Sequence, residues 1–319
     1  MKKALITGIA GQDGSYLAEF LLSKKYKVFG VLRKNQNITE LENIKNFKKK
    51  VSFVSGDIAD NKFVSGCIKK IKPDEIYHLA AQSNSNKSFD SAIQTMRLNT
   101  ESTYMFLAAI KEYSPKSKFF FAGSSEMFGR AKQSPQNEKT AFDPVNPYGV
   151  SKVAGYSYVK MFREAYGVFA CTGILFNHES PRRGKDFVTR KITLAVSRIK
   201  RGVQKELRLG NLEIKRDWGG AQDYVRAMWL MLQTKKPKDY VIGTGEEHSL
   251  KEFLDVAFNE VELNWRDYVV VDPLFFRPVD IWKVLADPSL IKKELGWKRQ
   301  IKFKDMVRTM VVEDLKRTD

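Results

Sequence analysis

The residues that hold metals and disulfides are scarce in this 319-residue chain, which has two cysteines and three histidines. Cys67 and Cys171 cannot build a disulfide framework, and they read as inert core thiols. His78, His178 and His248 stand too far apart in sequence to suggest a ligand cluster, so no metal site is expected. Long apolar runs are missing as well. Nothing approaches the ~18 apolar residues of a membrane helix, and the run after Lys3 is too short for the apolar core of a secretory signal. The expectation is a cytoplasmic protein without membrane contact. Acidic residues are outnumbered by basic ones, 37 to 55, which leaves a net charge of +18. A surplus of this size attracts phosphate, whether on nucleic acid, on a membrane or on a small molecule. The lysines are scattered, with only short clusters such as Lys48-Lys49-Lys50 and Lys235-Lys236. That scatter favours a solvated surface and a phosphate-bearing ligand over nucleic acid.

What remains is a globular composition, 43% hydrophobic and 12% aromatic, which excludes disordered and collagen-like chains. Short runs, nearly all apolar, fall at Lys3–Thr7, Lys27–Leu32, Val51–Ser55, Glu75–Leu79 and Lys118–Ala122, with later ones at Ala170–Phe176 and Tyr240–Gly243. Strands covered on both faces have this character. Helix-patterned stretches such as Ser15–Ser23 and Ser102–Glu112 lie between them; in the second, Met105, Phe106, Ala109 and Ile110 form one apolar stripe. This rhythm predicts an α/β fold with a doubly wound parallel sheet and a smaller, mixed α/β C-terminal lobe for substrate. The expected division is a dinucleotide-binding domain at 1–175, rejoined by a strand at 239–245, and a substrate lobe at 176–319.

The first strand runs into Gly8-Ile9-Ala10-Gly11-Gln12-Asp13-Gly14, and a helix follows at once. Glycines there permit a tight turn and close approach of a pyrophosphate, while the helix N-terminus aims free N–H groups at it. Gly8, Gly11, Gln12, Asp13 and Gly14 are therefore candidate cofactor contacts. The second strand ends in Arg33-Lys34, where an NAD site would carry an acidic residue. A forked guanidinium suits a 2′-phosphate, so NADP is preferred over NAD. Asp57 and Ile58 after the third strand, and Leu79, Ala81 and Ser83 after the fourth, complete the expected cofactor wall. The acid–base candidates follow. Tyr148 and Lys152 stand four apart on a helix that opens after Asn146-Pro147, so they share a face. A neighbouring ammonium, together with a cationic nicotinamide ring, would favour phenolate. Ser124, Ser125 and Glu126 follow the fifth strand. A 4-epimerase or 4-reductase needs only the hydroxyl and the Tyr/Lys pair. A carboxylate adds a group able to take a proton alpha to a transient ketone and then protonate a leaving hydroxyl. The plainer reading of Glu126 is a local cap or pair, and a non-catalytic NADP-binding sensor would be expected to have lost either the Tyr148/Lys152 pair or the Ser124/Glu126 pair, whereas all four are present.

The stretches Ala4–Glu19, Tyr77–Ser83, Ser124–Glu126, Tyr148 with Lys152, Gly173–Gly184, Phe187–Ile192, Gly210–Leu212, Lys215–Gly219 and Met228–Leu232 together resemble the extended short-chain dehydrogenase/reductases and, among them, the GDP-mannose 4,6-dehydratase family. The resemblance implies that Tyr148, with Lys152 and Ser124, takes the C4 hydroxyl proton while hydride passes to NADP. Glu126 then removes the C5 proton and helps expel the C6 hydroxyl before the hydride returns to C6. It also implies that His178 and Arg183 contact the cofactor, that Asn177, Lys191, Arg216 and Arg277 hold GDP, and that Ser83 and Ser125 border the sugar. A homodimer or homotetramer is expected. Departures from the family pattern are a serine at 124 where threonine is usual and a shortened segment over Asn35–Lys50. The usual tyrosine is absent near Gln94–Arg97, and Asn84-Ser85-Asn86-Lys87 differs from the common run. That last difference makes a modified GDP-sugar such as GDP-manno-heptose an alternative substrate.

Overall fold

The computed structural model describes residues 1–37, 41–276 and 283–317. Alternate residues of the first strand face opposite ways. Ala4 and Ile6 join one apolar cluster and Leu5 another, and Phe120 is likewise opposed to Phe119 and Phe121 on the fifth. That period of two requires cover on both faces, and helices provide it. Gln12–Ser23 and Ala221–Leu232 pack on one side, contributing Leu17, Leu21, Met228 and Leu232. Asn61–Ile71, Ser102–Tyr113 and Pro147–Tyr166 pack on the other, contributing Ile68, Phe106, Ile110, Val159 and Phe162.

Seven strands form the central sheet in the order Tyr240–Ile242, Ala170–Leu175, Lys118–Ala122, Glu75–His78, Lys3–Thr7, Lys27–Leu32, Ser52–Ser55. Every neighbouring pair is parallel. The doubly wound sheet expected from the sequence is present, and each strand bound agrees with expectation to within one residue. The first helix starts at Gln12 rather than Ser15. The glycine turn is thus partly helical, and Gly14 lies in its first turn. The order reverses beside Lys3–Thr7, and in such sheets the crevice beyond the strand C-termini at that reversal takes the ligand.

A separate apolar cluster gathers around helices Val188–Lys200, Leu250–Asn259 and Phe303–Leu315, with Trp218 and Trp265 inside it. Small strand pairs border this region: Asn177–Glu179 with Trp218–Gly220, and Lys215–Arg216 between His248–Ser249 and Lys283–Val284. The chain crosses between the two cores repeatedly. Helix Ala221–Leu232, strand Tyr240–Ile242 and Trp297 all return to the core of the large sheet. Among the described residues, no helix is long and apolar enough to cross a membrane, and no group of His, Cys, Asp and Glu is placed to hold a metal ion.

Candidate active site

The strand C-termini, the glycine turn and the 176–218 segment enclose a cleft of about 1530 Å³. Pockets for one small ligand run to roughly 300–1,000 Å³, so this cleft is larger than a single such ligand needs. Every residue nominated from the sequence and lying among the described residues borders it. Arg277 lies outside the described residues.

At one end, a Cβ on Gly14 would overlap the Gly8 carbonyl oxygen. Only glycine lets the helix start this close to the strand end. Gly11, the N-cap, offers no side-chain acceptor to the first-turn N–H groups, which suits an incoming anion. The side chains of Gln12 and Asp13 face elsewhere. Gln12 Nε2 donates to the His178 carbonyl at 3.0 Å, and Ser180 Oγ donates to Gln12 Oε1 at 2.8 Å. Asp13 Oδ2 lies 2.8 Å from His178 Nε2. Arg33 is exposed at the mouth of the cleft. Asp57 Oδ1 accepts from Ala59 N–H at 2.9 Å, which steadies the turn after the third strand. Thr7 Oγ1 accepts from both Leu79 and Ala80 N–H at 3.0 Å, fixing the end of the fourth.

His178 looked isolated in the sequence. In the fold its Nδ1 lies 2.7 Å from the Phe176 carbonyl and its Nε2 faces Asp13, so both ring nitrogens meet oxygen acceptors. Burial pulls the imidazole pKa down, but the Asp13 carboxylate outweighs it and the net direction is up. Asp13 moves the opposite way: burial raises it, and His178 more than compensates. The ring stacks on Tyr224 with centroids 4.4 Å apart. Nearby, Arg182 donates to Ser15 Oγ at 3.1 Å and Glu19 Oε1 at 2.9 Å, and lies over the Tyr16 ring. The two most distinctive sequence runs, Gly11–Glu19 and Asn177–Gly184, therefore clasp each other.

Across the cleft, Asn146 caps helix Pro147–Tyr166 with proline in its first turn, and this presents Tyr148 and Lys152 together. Lys152 Nζ donates to the Ala122 carbonyl at 2.8 Å and sits 5.6 Å from the centre of the Tyr148 ring. Burial pulls this lysine down to about 7. Burial also pushes the Tyr148 phenol up to about 12, with Glu126 adding to the rise while a hydrogen bond with Ser124 and the charge of Arg183 oppose it. The expected bias toward phenolate is therefore not supplied by the side chains alone, because desolvation exceeds it. Ser124 caps the short turn Ser125–Met127 by accepting from Glu126 N–H at 3.2 Å. Glu126 Oε2 accepts from Asn146 Nδ2 at 2.7 Å.

Toward the second core, Arg183 Nε lies 3.1 Å from Glu179 Oε2, and its guanidinium covers the Phe187 ring. Lys191 Nζ donates to the Arg208 carbonyl at 2.6 Å and sits over the Phe275 ring; burial lowers it. Arg216 is buried, with Nη1 on the Lys215 carbonyl. Sequence reasoning missed two polar anchors. Asn99 sits in a π-helical turn, where it ties the Gln82 backbone to Ser151 Oγ. Ser88 Oγ accepts the Tyr148 N–H at 3.3 Å. A π-turn leaves no sequence pattern; Asn146-Pro147 marked where the next helix opens, and the structure makes Asn146 its cap.

Comparison with known proteins agrees with this geometry. The family model described as GDP-mannose 4,6 dehydratase matches residues 5–310. GDP-mannose 4,6 dehydratase 2 of Arabidopsis thaliana is 49% identical over 327 residues, spanning 98% of this chain and 87% of its own. Among solved structures, the Thermus thermophilus UDP-glucose 4-epimerase in complex with NAD superposes with a TM-score of 0.85 at 23% identity, covering 98% of each chain. RMD from Pseudomonas aeruginosa, complexed with NADPH, superposes with a TM-score of 0.83 at 21% identity over 100% of this chain and 99% of its own. The last two speak to the fold, the first two to kinship, and on the latter the chain belongs to the GDP-mannose 4,6-dehydratase family.

Proposed function

We propose that this chain converts GDP-D-mannose to GDP-4-keto-6-deoxy-D-mannose, with NADP as its resident cofactor. The observation that carries the reading is the meeting of Ser124, Glu126, Tyr148 and Lys152 on one wall of a cleft that also contains the glycine turn. The glycine turn and the free first-turn N–H groups of helix Gln12–Ser23 would hold the oxidised dinucleotide, which would supply a reversible hydride acceptor and a positive charge that favours phenolate. Residues 1–175 and the returning segment 221–243 are assigned to the dinucleotide, and the remainder of 176–319 mainly to the GDP-sugar. Arg33 prefers the 2′-phosphate of NADP, through a charge-assisted fork that an acidic residue there would repel. Lys191 and Arg216 supply fixed cations for the GDP pyrophosphate.

The chain's own groups then move protons. Tyr148, hydrogen-bonded with Ser124 and held as phenolate by the Lys152 ammonium together with the cofactor's positive charge, accepts the proton of the C4 hydroxyl and becomes a phenol. Once C4 is a ketone, the C5 proton is acidic. Glu126 takes that proton and returns it to the departing C6 hydroxyl, which leaves as water. The sum is loss of one water with no net redox change. A 4-epimerase would have no use for the carboxylate at 126, which is the reason for preferring elimination.

The test is incubation with GDP-mannose and catalytic NADP, followed by mass spectrometry. The expected product is lighter by one water, with no stoichiometric build-up of reduced cofactor. Build-up of reduced cofactor, or a product isomeric with the substrate, would defeat the dehydratase reading. The same assay with a GDP-manno-heptose measures how Asn84–Lys87 admits a longer sugar.

A further inference from the structure

We propose that Asn146 is the positioning residue of the elimination step, setting the Glu126 carboxylate relative to Tyr148; this rests on the dehydratase reading above. Asn146 Oδ1 accepts the Gly149 N–H at 2.8 Å, capping the helix that carries Tyr148 and Lys152. Its Nδ2 donates to Glu126 Oε2 at 2.7 Å. One planar amide therefore joins the helix of the phenol to the turn of the carboxylate. The two elements also meet through backbone. A Cβ on Gly149 would lie 2.5 Å from the Glu126 carbonyl oxygen, and Asp143 N–H donates to the Met127 carbonyl at 3.2 Å. Asn146 is 7% exposed and does not line the cleft, so it acts through Glu126 rather than on the sugar.

The choice of side chain follows from what the step needs. A glutamate must be held in one rotamer to reach C5 and then the C6 oxygen, and fixing a long side chain has an entropic cost that a neighbouring donor offsets. An amide N–H orients the carboxylate without entering proton traffic, because it neither takes nor releases a proton at working pH. A lysine or histidine there would compete as an acid. Serine and aspartate cap a helix as well as asparagine does, but neither offers an amide N–H to Glu126.

Asn146→Ser and Asn146→Asp are therefore the test, since both keep the cap and remove the donor. Rapid-quench mass spectrometry on GDP-mannose separates C4-oxidised sugar that retains its C6 hydroxyl from dehydrated product. In both variants the ratio of the first to the second should rise by about 10–100-fold, the scale of a small misplacement of a reacting group, with KM for GDP-mannose unchanged. In the Glu126→Gln background, Asn146→Ser should add no further defect, because no proton-accepting carboxylate is left there to position. A variant that slows oxidation and elimination equally, or a full extra defect in the Glu126→Gln background, would overturn the proposal while wild-type dehydration stands. A wild-type chain that leaves GDP-mannose unchanged would overturn the parent reading, and this one with it.

Discussion

At the N-terminal edge of the large sheet, Glu75 is 1% exposed. Its Oε1 accepts from Lys2 Nζ and Tyr26 OH at 3.0 Å and from Gln233 Nε2 at 3.2 Å, and its Oε2 accepts from Tyr77 OH at 2.8 Å. At the C-terminal edge, Glu126 is half-buried near Tyr148, with Lys152 beyond. Each edge thus carries a carboxylate, a buried tyrosine whose phenol is pushed up by desolvation, and a lysine pulled down by burial, Lys118 and Lys152 respectively. Residue types do not distinguish the two constellations. The first is closed over by its own donors: Trp229 Nε1 donates to Tyr26 OH, and Lys118 Nζ is bound to the Leu232 and Thr234 carbonyls. The second opens on the cleft. In a parallel sheet the helix N-termini and the longer loops gather at the strand C-termini, so that edge can receive an anion and the other cannot. A perturbed group becomes a candidate for chemistry only when a cavity reaches it.

Matched substitutions at the two edges can break this contrast. The largest effect is expected for Tyr148→Phe, which should lower kcat by about 10²–10⁴, the usual contribution of a positioned acid–base group. Tyr77→Phe should leave turnover intact and lower the unfolding midpoint; a kcat loss there would erase the distinction. Next come the carboxylates. Glu126→Gln should retain GDP binding by calorimetry and lose elimination by about 10²–10³. Glu75→Gln should keep activity while costing about 1–3 kcal/mol in urea unfolding, through buried hydroxyls left without an ionised acceptor. Arg33→Glu is smaller. It should move the NADP-over-NAD ratio of kcat/KM toward NAD by about 1.5–3 kcal/mol, the scale of a hydrogen bond to a charged group; an unchanged ratio would remove Arg33 from cofactor choice.

The smallest expected effect, taken per pH unit at about 1.4 kcal/mol, is a slope with pH. Folding depresses Lys152 from its ordinary 10.5 to about 7. Between those values the unfolded chain binds the extra proton, so folded stability from this group rises with pH and its penalty is fully present below about 7. Lys152→Met should therefore be most stabilising below pH 7 and lose its advantage toward pH 10, read as paired unfolding midpoints across the range. A constant difference would mean that the ammonium is not desolvated in the fold.

Strand positions were legible because each strand is a short apolar run whose side chains alternate between two covered faces, and that pattern is local. The helix stripe of Met105, Phe106, Ala109 and Ile110 follows from the 3.6-residue repeat in the same way; the last three are buried and Met105 is partly buried at its edge. The glycine turn could be read from three residues within seven. The Tyr148/Lys152 pair could be read because one helix turn fixes their common face. The partners of those residues were not legible. His178 meets Asp13 across 165 residues, and Arg182 meets Ser15 across 167. The helix opening at Asn146-Pro147 was legible, but the bond of Asn146 to Glu126 20 residues earlier depends on how closely the Gly149 turn packs on the Glu126 backbone. The direction of the Tyr148 shift was also beyond sequence, because desolvation is a property of the packed surroundings.

By itself, then, the sequence determined the order of the strands and helices along the chain, the phosphate-suited turn, and the four polar groups nominated for the cleft wall, all consequences of residue periodicity and short-range spacing. Only the tertiary structure decided that Glu126 opens on a cleft while Glu75 is sealed, that His178 is held between Asp13 and a carbonyl, and that one amide links the Glu126 turn to the helix of Tyr148. Those outcomes depend on which distant segments the crossovers bring to the same edge, and on how much water the packing leaves there. No local pattern encodes either.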